Sequence, residues 1–316
     1  MQDAVTLVNR SWLGTASPKS YLPALIAIAD KLTPSNRLQF ICIPQKESVK
    51  RKNGIDHYDG IIAQIVKVDD ALKENQPKQL INLGCDCSTD FAPIAYLLCG
   101  HRENLVVIWF DAHADLNLPA SATGGSPSGH FHGMVLRALM GDAAFGLSEQ
   151  LRSPLTPSQI ILAGARELDP EERDYVAAES IVLISPKDIG QPSWLAALDA
   201  TAARGVTNAY IHVDFDVLDP QEFPWVGCPE RGGISIETLR QAIAQVSTRF
   251  NVLGVSAVEV SAEGEDAVRA ARIVLDVLEA AGYSTPLLPC LPNPDGEQFS
   301  SGLIFHRNTD EFAKAQ

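Results

Sequence analysis

Short apolar runs rich in β-formers alternate with longer stretches of helical period along nearly the whole chain, and no other feature narrows the fold so far. The runs fall at Val5–Val8, Leu38–Ile43, Leu80–Leu83, Leu105–Phe110, Gln159–Leu162, Ile181–Ile184, Tyr210–Val213 and Leu253–Val258. Helical periodicity fills Tyr21–Leu32, Ile61–Glu74, Asp90–Leu98, Met134–Met140, Pro170–Ala178, Trp194–Arg204, Ile236–Val246 and Ala267–Ala281. Runs such as LVVIWF (105–110) and AYIHV (209–213) show almost no polar alternation, as expected of strands buried on both faces of a parallel sheet. Near-strict alternation of strand and helix predicts an α/β protein, a three-layer α/β/α sandwich around a mainly parallel sheet. With no internal repeat or linker, residues 1–316 read as a single domain. Leu116–Gly129, rich in Pro, Ser, Gly and Ala, reads as a loop, and residues 283–316, where the pattern fades, as a C-terminal tail.

Charge removes several classes of partner. The 39 acidic residues outnumber the 25 basic ones, for a formal net charge of −14. Such a surface repels phosphate backbones and anionic headgroups, so neither nucleic acid nor membrane is expected as a partner. No secretory leader is visible in the opening MQDAVTLVNRSW, and no stretch approaches the ~18 apolar residues of a membrane span. Most of the six cysteines (42, 85, 87, 99, 228 and 290) read as buried small hydrophobes in a reducing, cytoplasmic setting; Cys85 and Cys87 stand apart because of where they fall.

Two acidic clusters follow directly on apolar runs, where ligands of open parallel sheets bind. Asp111, His113 and Asp115 come after LVVIWF; Asp214, Asp216 and Asp219 come after AYIHV. Residues at i, i+2 and i+4 of an extended segment project to one side, so each cluster is expected to converge. Carboxylates brought together this way repel one another unless a cation sits among them. Oxygen donors with an imidazole suit Mn²⁺ and similar divalent ions. A turn with solvated acids explains one such cluster; two, each ending a buried strand, favour a metal site.

The same segments resemble the motifs of the arginase/agmatinase (ureohydrolase) superfamily. DAHADLN at 111–117 is similar to DAHxD, and VDFDVLDP at 213–220 to SxDxDxxDP. GCDCS at 84–88 stands where GGDHS would, SGHFHG at 128–133 where SGNxHG would, and Glu259 where the glutamate of DxxEVxP would. These motifs run in order from about residue 80 to 280. The resemblance implies an α/β/α sandwich, a homo-oligomer and two bridged Mn²⁺ ions, with Asp111 and Asp214 shared, His113 and Asp216 on one ion and Asp115 on the other. It also implies hydrolysis of a guanidino C–N bond by a metal-activated hydroxide. Asp115 would orient that hydroxide and pass its proton on, Glu259 would pair with the guanidinium, and His132 would shuttle protons. Asn117, Ser128, Asp169 and Glu172 match positions that hold an amino-acid head group, with His130 in the loop beside them.

One departure stands out. Cys87 occupies the position of a metal-binding histidine, and a thiolate favours Zn²⁺ or Fe²⁺ over Mn²⁺, with Ni²⁺ a further option. Cysteine there is also a feature of N-hydroxyarginine hydrolases of the superfamily. The substrate class is therefore a guanidino or amidine small molecule, arginine-like or N-hydroxyarginine-like, with formiminoglutamate or another amidine as the alternative. Other readings are a deacetylase-like amidohydrolase, a thiol enzyme attacking through Cys87 at a helix start, and a degenerate binding or regulatory member of the superfamily.

Overall fold

The computed structural model describes residues 4–15, 21–31, 37–41 and 50–283. Among these, the strands are β1 (Ala4–Asn9), β2 (Arg37–Ile41), β3 (Gln79–Gly84), β4 (Val106–Phe110), β5 (Ile160–Ala163), β6 (Val182–Ile184), β7 (Asn208–Val213) and β8 (Asn251–Ala257). The helices are α1 (Tyr21–Ala29), α2 (Tyr58–Asn75), α3 (Phe91–His101), α4 (Val135–Leu139), α5 (Pro170–Ala178), α6 (Pro192–Ala203), α7 (Ile236–Ser247) and α8 (Gly264–Ala280). The strands form one eight-stranded sheet in the order β2-β1-β3-β8-β7-β4-β5-β6. Every pairing in it is parallel.

Period-two packing creates the layers. In β4, Val106, Ile108 and Phe110 face a core shared with α1, α6, α7 and α8. Val107 and Trp109 face a second core built on α2, α3, α4 and α5. Every residue of β4 and β7 is buried, which is why neither strand alternates in polarity. At the edge, β6 is only partly buried, as an unpaired flank permits.

The expected elements are all present, with shifted ends. α2 starts at Tyr58, three residues early, and closes on Gln76 in a left-handed conformation. α4 is a short helix preceded by a 3₁₀ turn over His132–Met134. Residues 116–129 contain no helix or strand, as expected of a loop. Leu32, Cys42, Ile43, Cys290 and the tail beyond Tyr283 lie outside the described residues. The expectation for the cysteines needs correcting. Cys85 and Cys87 are buried, but Cys99 and Cys228 are exposed, one at the solvent end of α3 and the other in the loop after β7.

Register decides what the strand ends bring together. Phe110 lies opposite Val213 and Trp109 opposite His212, so Asp111 and Asp214 leave the sheet side by side. Leu83 pairs with Ala257, and Asp214 bridges Val258. The segments carrying Cys87, Asp111, Asp214 and Glu259 therefore emerge from four adjacent strands at one carboxyl edge.

Candidate functional site

The three aspartates that follow β3, β4 and β7 turn the chain in the same way. Asp111 Oδ1 accepts the His113 amide at 2.6 Å, Asp214 Oδ1 accepts the Asp216 amide at 2.8 Å, and Asp86 Oδ1 accepts the Ser88 amide at 2.9 Å. Each is a side-chain turn that bends the backbone just beyond its strand. This corrects the expectation of extended i, i+2, i+4 alternation. The ligand candidates converge because the chain turns, and Asp216 lies in a 3₁₀ turn over Phe215–Val217. Asp115 and Glu259 hold positive φ values of 53° and 59°. Backbone strain of this kind costs about 1–3 kcal/mol per residue and concentrates at functional sites.

The turns assemble a buried donor cluster. His113 Nδ1 lies 3.0 Å from Asp216 Oδ2 and 3.4 Å from Asp111 Oδ1. The Ala112 amide donates to the other Asp216 oxygen at 2.9 Å. Cys87 Sγ donates to Asp214 Oδ2 at 3.3 Å and lies 3.9 Å from Glu259 Oε1. Asp111, His113 and Asp216 each offer a ligand atom within 4.8 Å of the others, and so do Cys87, Asp214 and Glu259. Asp115 Oδ2 is buried without a hydrogen-bond partner. Four buried aspartates with one of their oxygens left unpaired fit a cation-holding site; sulfur at Cys87 widens the choice of ion beyond Mn²⁺.

Electrostatics point the same way. Burial, then the neighbouring Asp111, pushes the Asp115 carboxyl well above its ordinary value. Burial, then Asp216 and Asp111, does the same to Asp214. Asp216 is pushed up to about 6, by burial and then Asp111. Burial would raise Asp111 too, but the imidazoles of His113 and His212 hold it below the usual range. Burial and the carboxylates around it, Asp115 and Asp214 first, raise the Cys87 thiol. A thiolate is not favoured in these surroundings unless a cation offsets the carboxylates.

Above the cluster opens a cavity of about 380 Å³, a size suited to a small metabolite. His113, Asp115, Asp214, Asp216 and Glu259 reach it from below, and Asn117, Ser128, His130, His132, Asp169 and Glu172 line its walls. His132 Nδ1 lies 3.2 Å from Glu259 Oε1, and the Tyr21 side chain also hydrogen-bonds Glu259. Asn117 Nδ2 donates to Asp169 Oδ2 at 3.1 Å. Both oxygens of the buried Glu172 accept backbone amides, from Leu116 and Asp169 at 2.9 Å. Glu172 thus braces α5 in a capping box while it faces the cavity.

Several wall residues carried no sequence signal. Glu167, Cys228 and Glu230 also line the cavity. Arg166 ties that wall together, donating to the carbonyls of Asp216 and Glu230 at 2.8 Å and Arg231 at 3.0 Å. Asp219, the last acid of its motif, accepts the amides of Gln221 and Gly232 and closes the loop between them. On the opposite wall, Arg51 clamps Asp56 at 2.7 and 2.9 Å and donates to the Ser128 carbonyl at 2.9 Å. His212 was also missed. It is fully buried, stacked on Trp109 at 3.4 Å, with Nε2 3.7 Å from Asp111 Oδ2. Its signals were the alternating spacing 212, 214, 216 and its place two residues before Asp214, where the motif that this segment resembles has serine.

Comparison with known proteins gives a consistent picture. The Arginase family's sequence model matches residues 47–281. An arginase of Staphylococcus aureus (strain MRSA252) is 32% identical over 217 residues, covering 66% of this chain and 70% of that protein. Among solved structures, Entamoeba histolytica arginase in complex with L-ornithine matches with a TM-score of 0.75 at 21% identity, over 89% of this chain and 99% of that one. Formimidoylglutamase of Bacillus subtilis matches with a TM-score of 0.67 at 18% identity, over 89% and 87%. At those identities the structural likenesses establish the fold.

Proposed function

The chain belongs to the arginase family and is a hydrolase of C–N bonds in linear amidines; from that premise we propose that its substrate is a guanidino amino acid, arginine-like or N-hydroxyarginine-like. The observation that carries this reading is the sign of the cavity. Its lining includes Glu167, Asp169, Glu172, Glu230 and Glu259, with no Lys or Arg among the described residues. Such walls attract a guanidinium or an α-ammonium group and penalise a second carboxylate, which disfavours formiminoglutamate.

In this reading Cys87, Asp111, His113, Asp115, Asp214 and Asp216 hold two divalent ions, Mn²⁺ or, through Cys87, Zn²⁺, Fe²⁺ or Ni²⁺. A bound pair of ions supplies an activated water and polarises the reacting carbon. Glu259, beside His132 in the cavity, pairs with the guanidinium. Asp115, whose Oδ2 is buried without a hydrogen-bond partner, takes a proton and passes it to the leaving amine. His132, a quarter exposed, exchanges protons with solvent. Asn117, Ser128, His130, Asp169 and Glu172 position the head group at the rim.

No helix among the described residues is long and apolar enough to cross a membrane, and the cysteines described are unpaired. These support a cytoplasmic protein, and the family a homo-oligomer; fractionation and sedimentation test the two. The substrate reading is tested by reconstituting metal-free protein with Mn²⁺, Zn²⁺, Fe²⁺ or Ni²⁺ and assaying arginine, N-hydroxyarginine, agmatine and formiminoglutamate. Turnover confined to formiminoglutamate or agmatine would sink the guanidino amino-acid assignment.

A further inference from the structure

We propose that His212 is itself a metal ligand, completing with Cys87, Asp111 and Asp115 a buried four-donor site for the first of the two ions. The proposal rests on the metal reading above and deepens it. The geometry begins one layer down. Asp90 Oδ1 accepts the Asn82 amide and the Tyr210 hydroxyl at 2.6 Å. Asp90 Oδ2 accepts the Ser256 hydroxyl and faces His212 Nδ1, both at 2.5 Å. A carboxylate saturated by donors in this way fixes the proton of His212 on Nδ1. The other nitrogen, Nε2, then presents its lone pair.

That lone pair has no hydrogen-bond partner, although the ring is fully buried. It looks toward Asp111 Oδ2, an acceptor, from 3.7 Å, too far for a hydrogen bond. Two lone pairs facing each other in a dry interior repel unless a cation, a proton or a metal ion, lies between them. Cys87, Asp111, Asp115 and His212 each offer one ligand atom, all within 4.8 Å of one another, and all four residues are buried. Asp115 Oδ2, also without a hydrogen-bond partner, belongs to the same group. With metal–ligand bonds of about 2.0–2.3 Å, donors around a tetrahedral ion stand about 3.3–3.8 Å apart, so the cluster closes with small side-chain rotations. Stacking on Trp109, whose indole donates to Asp111 Oδ2 at 3.1 Å, holds the imidazole plane in place.

The arrangement resolves the oddity of Cys87. Where position 87 lacks an imidazole, β7, two places along the sheet from β3, supplies one from below, and Asp90 orients it as carboxylates orient metal-bound histidines. A donor set of one sulfur, one nitrogen and two oxygens selects Zn²⁺ or Fe²⁺ over Mn²⁺. The second ion keeps the harder set of Asp111, His113 and Asp216, with Asp214, 3.3 Å from Cys87 Sγ, in reach of both ions.

The test uses Co²⁺ as the probe on the full chain, read by proton NMR in water and in D₂O and by near-ultraviolet absorption. A His113→Asn variant loaded with Co²⁺ should retain one hyperfine-shifted, exchangeable imidazole N–H, together with a sulfur-to-cobalt charge-transfer band. That resonance should vanish in the Co²⁺-treated double variant His113→Asn/His212→Phe, whose ring preserves the stack on Trp109, and its Co²⁺ affinity at the first site should fall at least about tenfold. A His113→Asn protein that binds Co²⁺ without that resonance overturns the proposal, and so does a resonance that survives in the double variant His113→Asn/His212→Phe. The His113→Asn result stands even if the double variant fails to fold. Wild type that binds no Co²⁺ removes the metal-hydrolase reading itself; two bound ions with no His212 signal remove this proposal alone.

Discussion

Replacing Glu259 with Gln changes one charge and almost no volume, so its effect isolates electrostatics. The residue is 4% exposed and its Oε1 lies 3.2 Å from His132 Nδ1. The Tyr21 hydrogen bond needs an acceptor, which the amide oxygen still provides. What disappears, in the proposed reading, is the negative partner of an incoming guanidinium. Breaking one side of a desolvated ion pair costs about 2–5 kcal/mol. At about 1.4 kcal/mol per tenfold, that is a loss of about 30- to 4,000-fold in kcat/KM. With so little of the carboxylate in water, screening is weak and the upper half of that range is expected. Metal content should hold, because in the proposed reading the ions rest on Cys87, His113 and the four aspartates, all untouched. Steady-state kinetics over a substrate series, metal analysis and near-ultraviolet circular dichroism on the same preparations provide the check. A variant within roughly threefold of wild type in kcat/KM, or one that sheds metal yet binds substrate normally, refutes the assignment.

The remaining predictions are narrower. Asp214→Asn should abolish turnover and lower metal content, since the carboxylate sits among Cys87, Asp216 and Glu259; near-normal activity by product assay would contradict its place as a ligand. Cys87→His should raise Mn²⁺ uptake relative to Zn²⁺ and shift preference toward an unmodified guanidinium, and an unchanged metal ratio with an unchanged substrate ranking would count against it. Burial lowers the His132 pKa but Glu259 outweighs it, leaving the value raised. Their pairing therefore stabilises the fold fully below the ordinary histidine pKa of about 6.5 and is lost as pH rises through the raised value. The difference in Tm between wild type and Glu259→Gln should accordingly shrink with rising pH, and a difference that grows would reverse the sign. Arg51→Ala should raise KM more than it lowers kcat and expose the 120–130 segment to protease, because the carbonyls of Pro127 and Ser128 lose their donor; identical digestion patterns would remove this role.

How much of this could be read beforehand depended on whether position along the chain implied position in space. The strands were legible because both faces of β4 and β7 are buried, which leaves an apolar run with no ambiguity. Asp111, His113, Asp115, Asp214 and Asp216 were legible because they sit at strand ends in a sheet whose ligand edge is known in advance. Their mode of convergence was not, since a side-chain-to-amide turn and an extended segment use the same residues at the same spacing. His212 was hidden by its company: within AYIHV it reads as part of a buried strand. Arg51 and Arg166 were invisible for another reason. Arg51 reaches carbonyls 76 and 77 residues away and Arg166 others 50 to 65 residues away. No local pattern encodes such a tether.

The side-chain turns after β3, β4 and β7 divide the molecule into parts that can change at different rates. Each spends one aspartate oxygen on its own backbone, so the donor cluster holds its shape without help from the long loops above. Those loops hang on a few separate tethers, Arg51 on one wall and Arg166 and Asp219 on the other. A replacement loop hung from the same tethers could present a new rim to a new ligand while the reactive base stayed as it was. For anyone redesigning this protein, the practical order is to vary residues 116–131 and 220–232 first, and to leave the aspartate turns alone.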